Sequence, residues 1–297
     1  MGLHQFNKFL KEYAPDCMRT CNFMYMRNKT IVIDTNLYMH LFKRDKLLII
    51  NMFWLITLFK NNKINMIFIF DGAPPPEKRY ILQKRRERKE KSYEKIQQLK
   101  QSINSKNIDK INGLIKKEMV NAVHVSRNDI ETVKSLINAC GISYINAEGE
   151  ADKLCAQLVK DGVADACLSE DMDLVLYGTS QIIRNLDLLN ETFTVYNYID
   201  ILKQLKLTDY KFKYLCVANG TDYNKRYISI HKAYNMCMDQ ELNITQFTED
   251  EQSDQTIKNT IDLFNIDVQY TYKLNKGVYN EQKVIDIMKN SNIIYLV

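Results

Sequence analysis

Acidic residues follow the apolar segments of this chain, at the point where each segment ends. The segments at 30–34, 64–70 and 164–168 lead into Asp34, Asp71 and the acids Glu170, Asp171 and Asp173. Two further acids, Glu148 and Glu150, come after a fourth apolar segment at 142–145. Apolar segments of this length are typical of buried strands. Because ligands in open α/β sheets bind beyond the carboxyl ends of parallel strands, we expect these acids to meet at one edge.

So many carboxylates at one edge would repel each other unless cations held them together. The donors are oxygen atoms alone, with no histidine or cysteine among them, and such hard donors favour Mg²⁺ or Mn²⁺. Each acid also has a structural alternative, as a helix cap, a turn residue or a first-turn acid at the positive end of a helix. The pattern therefore predicts either a metal centre or a row of caps.

A strongly basic segment follows the second of these acids. Between residues 78 and 100, ten lysine and arginine residues stand against three glutamates, in a chain whose net charge is only +5. A basic block inside an almost neutral protein favours a polyanionic partner such as nucleic acid. The alternative is a solvated helix whose charges pair four residues apart, as Glu87 and Lys91 would.

The elements that must position these residues alternate along the chain. Strands are predicted at 30–34, 64–70, 142–145, 164–168, 181–184 and 192–196. Helices are predicted at 36–60, 77–100, from there to about 121, 128–140, 148–160, 197–206, 208–218 and 229–240. The acidic stretch 249–254 is predicted to be an internal loop or a disordered segment. Alternating strands and helices predict an α/β fold with a twisted, mostly parallel central sheet and helices on both faces.

The composition excludes several other classes of protein. Hydrophobic residues make up 45% of the chain, as in ordinary globular domains. The longest apolar run, at 47–59, is shorter than the roughly 20 residues of a membrane span. The seven cysteines show no CxxC spacing and the glycines form no phosphate-binding loop, so we expect no zinc cluster, disulfide framework or dinucleotide site. A soluble intracellular protein in a reducing compartment, with no membrane partner, is expected.

Five short motifs occur in a characteristic order. They are Ile33-Asp34, Phe70-Asp71-Gly72-x-Pro74-Pro75, Glu148-Gly149-Glu150-Ala151-Asp152, Ser169-Glu170-Asp171-Met172-Asp173 and Gly220-Thr221-Asp222-Tyr223. In order and spacing they resemble the motifs of the XPG/Rad2 (flap endonuclease) family of structure-specific 5′ nucleases. The resemblance covers residues 1–235 and is that of a compact, core-only member, similar in size to viral or minimal versions.

The resemblance implies a PIN-like 5′-nuclease fold and two bound Mg²⁺ ions, with Mn²⁺ able to substitute. In the family such ions activate water and stabilise the leaving oxygen of a phosphodiester. The ligands that carry over are Asp34, Asp71, Glu148, Glu150, Asp171, Asp173 and Asp222. Asp152, one step beyond the family's acidic pair, is expected to orient its neighbours rather than to bind metal.

The resemblance also assigns roles to the basic segment. Lys78 and Arg85 match a lysine and an arginine that act on the scissile phosphate, and the helices at 77–121 match a helical arch. The residues expected to contact nucleic acid are Gly2, Tyr38, His40, Lys84, Arg86, Arg88 and Lys89. For Tyr38 and His40 the role would be stacking on a base, and the alternative is an ordinary core or surface position.

The sequence departs from the family pattern after Asp222. There the family has a helix–hairpin element whose Gly-x-Gly loop binds a potassium ion and a duplex phosphate, but this chain has Ser229 and His231. Because glycine allows the closest backbone approach to a phosphate, we predict a degenerate helix–hairpin region and a weakened duplex grip. No convincing sliding-clamp peptide occurs near the end of the sequence.

These features together predict a single nuclease domain over 1–297. Its parts are an N-terminal half (1–123) with the arch, an internal half (124–240) and a C-terminal extension (241–297). The expected function is that of a monomeric Mg²⁺-dependent 5′ flap endonuclease or 5′–3′ exonuclease for DNA with a flap, a branch or a free 5′ end. It would serve replication, repair or recombination in the nucleus or, for a viral protein, at cytoplasmic replication sites. The alternatives are a 5′–3′ exonuclease or RNase acting on RNA, and a catalytically silent nucleic-acid-binding scaffold.

Overall fold

A computed structural model describes residues 3, 5–102, 108–224, 228–238, 251–266 and 271–291. Within these ranges seven strands form one sheet. They are β1 (Met18–Asn22), β2 (Thr30–Asp34), β3 (Asn65–Phe70), β4 (Ser143–Asn146), β5 (Ala166–Leu168), β6 (Gln181–Asp187) and β7 (Thr192–Asn197). Their order across the sheet is β1-β7-β6-β5-β2-β3-β4.

The centre of the sheet is parallel, as the alternation of strands and helices predicts. From β6 to β4 all neighbouring strands run in the same direction, while β7 and β1 add two antiparallel strands at one edge. In register, Ile33 of β2 lies between Phe68 of β3 and Leu168 of β5, so the ends of these three strands lie side by side. The mostly parallel α/β fold is confirmed. The sequence analysis missed β1, because Met18–Asn22 is largely polar and lies at the sheet edge.

Helices cover both faces of the sheet. They are α1 (Phe6–Tyr13), α2 (Thr35–Arg44), α3 (Leu48–Asn61), α4 (Arg79–Gln101), α5 (Ile108–Ala122), α6 (Arg127–Ala139), α7 (Ala151–Lys160), α8 (Tyr198–Leu205), α9 (Asp209–Ala218), α10 (Ile230–Met238), α11 (Glu251–Leu263) and α12 (Glu281–Asn290). Successive side chains of β2 enter different cores: Val32 joins one buried cluster, and Ile31 and Ile33 join the other. None of the helices in the described ranges is long and apolar enough to cross a bilayer.

The prediction of one long helix at 36–60 is wrong. Helix α2 ends before Asp45, and Lys46 adopts a left-handed backbone conformation with φ 61°. The amides of Lys46 and Leu47 donate to the carbonyls of Lys43 and Phe42, at 3.0 and 3.1 Å, a common way to end a helix. No glycine or proline occurs at this turn. The apolar sequence pattern therefore continues across it and predicts a single helix.

The prediction of a loop at 249–254 is wrong over its described part. The backbone of residues 251–254 begins α11, whose Ile257 and Ile261 are buried in the core that also contains α9. Residues 249 and 250 lie outside the described residues. These two apolar side chains thus outweigh the acidic first turn, since burial of a helix face contributes more than local composition.

Helices α4 and α5, with the short 3₁₀ helix Pro76–Lys78 that leads into α4, form a hairpin, the arch, between β3 and α6. They enclose a small apolar cluster of their own, formed by Ile96, Ile111, Ile115 and Ala122. Glu118 of α5 accepts hydrogen bonds from Ser92 and Lys95 of α4. The arch therefore has internal packing that is separate from the two cores against the sheet.

Candidate metal and nucleic-acid site

Asp34, at the end of β2, is both a helix cap and a buried acid at the site. Its Oδ1 accepts a hydrogen bond from the backbone N–H of Leu37 at 3.3 Å, which caps α2. Its Oδ2 accepts a hydrogen bond from the Ser169 hydroxyl at 2.8 Å. The side chain is almost fully buried. The two alternatives of the sequence analysis, cap and ligand, are therefore compatible at this position.

Asp71 is fixed where the loop after β3 meets the start of α7. Its Oδ1 accepts a hydrogen bond from the backbone N–H of Ala151 at 2.8 Å, directly after Glu150. The two loops are joined by Gly72 N–H to the Gly149 carbonyl at 2.7 Å. A Cβ atom on Gly72 would lie 2.2 Å from the Ala147 carbonyl oxygen, so the close approach requires glycine.

The acids after β5 combine a local turn with a buried, unpartnered oxygen. Asp171 Oδ1 accepts a hydrogen bond from the N–H of Asp173 at 3.1 Å and so begins the short 3₁₀ helix Met172–Val175. Asp173 is buried, and its Oδ1 has no hydrogen-bond partner. A buried carboxylate oxygen without a partner is costly, because lost hydration is not replaced. That oxygen is the feature that a bound cation would satisfy.

The pKa values of these acids reflect mutual repulsion in a buried region. The pKa of Asp34 is raised to about 7, first by burial and then by the negative charge of Asp71. Burial raises the pKa of Asp173 well above its ordinary value, with further contributions from Asp171 and Asp222. Acids from β2, the loop after β3, the turn after β5 and the segment after α9 thus act on one another. This arrangement agrees with the prediction that the acids lie close together at one edge of the sheet.

Asp152 belongs to the same electrostatic cluster. Burial raises its pKa well above the ordinary value, and the charges of Asp34 and Asp171 raise it further. Glu148, in contrast, is exposed on the loop before α7. There its backbone carbonyl accepts the N–H of Ala73 at 3.1 Å. Of the seven predicted ligands, Glu148 is thus one that is exposed on a loop.

Two cations of the arch approach these acids. Lys78 Nζ donates to Glu150 Oε1 at 2.6 Å, and Arg85 Nη2 donates to Asp222 Oδ2 at 2.5 Å. Lys78 is buried. Burial lowers the pKa of Lys78, but its ion pair with Glu150 and the nearby charge of Asp152 outweigh this, so the net pKa is raised. Both side chains are thus directed at the acidic edge.

In the part of the chain that the structure describes, no three acid, histidine or cysteine side chains converge closely enough to hold a metal ion as they stand. Two of the acids, Glu150 and Asp222, are instead paired with Lys78 and Arg85. The residues nevertheless fit Mg²⁺, because all the donors are oxygen atoms and one buried oxygen of Asp173 has no partner.

The other residues expected to contact nucleic acid divide into two groups. Lys84, Arg86 and Arg88 are exposed along α4, and Lys89 is half-buried there. Tyr38 is buried, and its hydroxyl donates to Glu170 at 3.3 Å. Tyr38 therefore occupies a core position, which corrects the predicted stacking role. The buried ring has no free face on which a base could stack. Gly2 lies outside the described residues.

His40 is exposed at the surface of α2. Its pKa is lowered to about 4, first because neighbouring atoms displace part of its water and then because of the positive charge of Lys89. The imidazole is therefore neutral near pH 7. Its predicted stacking role stays a prediction, and any contact with nucleic acid would use the neutral ring rather than a charge.

The helix–hairpin segment uses its unusual residues for contacts within the protein. The Ser229 hydroxyl accepts the backbone N–H of Lys232 at 3.3 Å at the start of α10. The His231 ring lies 3.3 Å from a Glu12 carboxylate oxygen and packs edge-on against Phe9 of α1. Residues 225–227 of this segment lie outside the described residues.

Sequence reasoning missed two residues that fix the acids, Ser169 and Tyr223. Ser169 precedes the acids Glu170 and Asp171, and its short hydroxyl reaches back to Asp34. Tyr223 directly follows Asp222 and donates its hydroxyl to Glu150 Oε2. Their adjacency to acids within two motifs was the available signal, but the partners lie more than 70 residues away in sequence.

Two regions of the chain match models of one family: the XPG N-terminal domain over residues 1–92 and the XPG I-region over residues 141–222. Flap endonuclease 1 of Cryptosporidium parvum (strain Iowa II) is 28% identical over 254 residues, covering 75% of this chain and 50% of that relative. The chain thus spans about half the length of this curated relative.

The structure is similar to solved members of the same group. The catalytic core of Rad2 in complex with a DNA substrate matches with a TM-score of 0.68 and 19% identity, covering 98% of this chain and 95% of that one. The Holliday junction-resolving enzyme GEN1, solved with product DNA and an Mg²⁺ ion, matches with a TM-score of 0.54 and 16% identity, covering 96% and 64%. At this identity the likeness shows the fold.

The two family regions take in more than half of the sequence, and they contain all seven acids together with Lys78 and Arg85. On this evidence the chain belongs to the XPG/Rad2 family.

Proposed function

We propose that this chain is a Mg²⁺-dependent structure-specific 5′ nuclease that hydrolyses phosphodiester bonds of DNA carrying a 5′ flap, a branch or a free 5′ end. The observation that carries the proposal is the pairing of two arch cations with the acidic sheet edge, Lys78 with Glu150 and Arg85 with Asp222. Cations placed beside a metal-binding acid cluster suit a reaction in which negative charge grows on a phosphate.

Seven acids would hold two Mg²⁺ ions, and neighbouring hydrogen-bond donors orient these acids. The proposed ligands are Asp34, Asp71, Glu148, Glu150, Asp171, Asp173 and Asp222. Ions bound there would supply a water of lowered pKa and positive charge that stabilises the leaving oxygen. Ser169 and the Ala151 N–H fix Asp34 and Asp71 in place. Lys78 and Arg85 supply positive charge to the phosphate, which stabilises the growing charge in the transition state.

The exposed cations of α4 would guide a single strand towards this edge. A row of basic side chains follows a phosphate backbone without reading its sequence. One observation favours RNA as a second substrate class: Ser229 and His231 make contacts within the protein, which would weaken a duplex grip at that loop. A substrate bound through its single strand depends less on that grip.

Cleavage of labelled substrates tests the proposal. Flap, nicked, gapped and single-stranded DNA, with RNA counterparts, are incubated with Mg²⁺, with Mn²⁺ and with EDTA. We expect 5′ cleavage with either metal and none with EDTA, and loss of cleavage in Asp173→Asn but not in the exposed control Asp45→Asn. Cleavage that survives EDTA, or an unaltered rate in Asp173→Asn, would contradict a metal-dependent mechanism. A preference for the RNA series would assign the second substrate class.

We further propose that the chain acts as a monomer in a reducing compartment, the nucleus or cytoplasmic replication sites. The seven cysteines are all free, and six of them are buried, as expected where disulfides do not form. Size-exclusion chromatography coupled to light scattering under reducing conditions tests the oligomeric state. A mass near 70 kDa, twice the 35.0 kDa of the chain, would contradict the monomer.

A further inference from the structure

Tyr223 contacts both members of the Lys78–Glu150 ion pair. Its hydroxyl donates to Glu150 Oε2, while Lys78 occupies Oε1 of the same carboxylate at 2.6 Å. The ammonium of Lys78 also lies 4.7 Å from the centre of the Tyr223 ring. The three groups therefore form a closed triangle in which each touches the other two.

The ring itself is held from the far side. Phe264, directly after α11, packs edge-on against Tyr223 with ring centres 5.3 Å apart. Phe264 is buried and packs in the same way against Tyr177, at 5.1 Å. The position of Tyr223 is thus fixed by core residues, so the residue can serve as a rigid support for the two charged groups.

We propose that Tyr223 is a positioning residue that holds the Lys78 ammonium and the Glu150 carboxylate in their working orientation at the acidic edge. This inference rests on the proposed nuclease function. A free lysine side chain samples many rotamers, and fixing it beforehand removes a cost that the reaction would otherwise bear. The ring contact has a further consequence, because it does not depend on Glu150. With the carboxylate serving as a metal ligand, the ring contact would still hold the Lys78 ammonium in place.

Two substitutions separate the two contacts. Tyr223→Phe removes the hydroxyl that fixes Glu150 but keeps the ring beside Lys78, whereas Tyr223→Leu removes both. The matched control is Tyr198→Phe, because the Tyr198 hydroxyl also donates to a carboxylate, Asp209 at 2.5 Å, but on α8 and α9. The control therefore reports the effect of removing a partly buried tyrosine hydroxyl elsewhere in the fold.

We expect Tyr223→Phe to lower the single-turnover rate of flap cleavage roughly tenfold and Tyr223→Leu roughly a hundredfold, the range seen when residues that orient metal ligands are replaced. The dissociation constant for DNA in Ca²⁺ should stay close to that of the wild type in both variants. Tyr223→Phe should also weaken Mg²⁺ binding, measured by calorimetry or by the Mg²⁺-induced rise in melting temperature, because Glu150 loses its fixed orientation. Tyr198→Phe should change none of these quantities beyond a small fall in melting temperature.

The outcomes distinguish this inference from the proposed function. If Tyr223→Phe and Tyr198→Phe show the same rates and the same Mg²⁺ response, Tyr223 is only a packing residue and the inference is overturned. If the wild type cleaves no substrate, the proposed function fails, and the Mg²⁺ response alone then decides the inference. An equal Mg²⁺-induced rise in melting temperature for the wild type and Tyr223→Phe would overturn it in that case.

Discussion

The surroundings of Asp34 act on its ionisation in two opposite directions. Asp34 caps α2 and accepts the Ser169 hydroxyl, and both contacts favour its ionised form. Burial and the charge of Asp71 oppose ionisation more strongly, so the net pKa is about 7. The ionised form of Asp34 is therefore unfavourable in the metal-free protein. As a result, the free energy of unfolding of that protein should depend on pH.

The metal-free protein should lose stability as the pH rises from about 4 to about 7. Across this range the unfolded chain releases the Asp34 proton, whose ordinary pKa is 3.8, while the folded protein retains it up to about 7. The free energy of unfolding should therefore fall with rising pH, by on the order of 1–4 kcal/mol from this group. Urea denaturation in EDTA at several pH values measures the slope, which Asp34→Asn should flatten and the exposed control Asp45→Asn should not. A metal-free protein that becomes more stable over this range would contradict the assignment.

The two arch cations give a second prediction at the residue scale. Lys78→Ala and Arg85→Ala should each lower the single-turnover rate by on the order of a hundredfold with little change in DNA affinity, because their charges act on the phosphate in the transition state. Rates under single-turnover conditions and dissociation constants in Ca²⁺ measure the two effects separately. Equal losses of rate and affinity would mean that the two residues only attract the substrate.

At the scale of elements, the site depends on two loops that touch. The loop after β3 and the loop before α7 are joined by the Gly72–Gly149 hydrogen bond, and this contact brings Asp71 to the first amide of α7. Strand ends determine which edge the acids occupy, but the spacing between acids comes from this loop contact. Sequence motifs reveal the glycines without revealing which backbone each one must approach.

Gly72→Ala should therefore damage the site through the backbone. The added Cβ would meet the Ala147 and Glu148 carbonyl groups at 2.2–2.6 Å, so the two loops must separate. We expect a destabilisation of about 1–3 kcal/mol and a large loss of cleavage and of the Mg²⁺-induced rise in melting temperature. The matched control is Gly113→Ala on α5, where a Cβ meets nothing within 4 Å and alanine favours the helix. Similar behaviour of the two variants would show that the loop contact is not required.

At the scale of the whole molecule, the acidic edge and the basic arch were both predictable, and the contacts between them were not. Apolar runs followed by acids indicated β2, β3 and β5, because strand burial leaves a strong pattern in sequence. The turn at Lys46 and helix α11 were missed, because the first has no glycine or proline and the second begins in an acidic stretch. Tyr223 and Ser169 were missed because their role depends on partners brought close only by the fold.

The distribution of charge over the molecule gives the last prediction. Arg88 and Lys89 lie on the arch beyond Arg85, so they should contact phosphates of the approaching strand without acting on the bond that is cleaved. Replacing both by alanine should weaken DNA binding for all sequences and reduce the slope of log Kd against log salt by about 1–2, because one or two fewer counterions are released. The control removes two exposed lysines of α12, Lys283→Ala with Lys289→Ala, which lowers the net charge equally but far along the chain from the arch. Fluorescence anisotropy at several salt concentrations measures both slopes. If the two double variants give the same slope, binding depends on net charge alone and the arch has no special part in it.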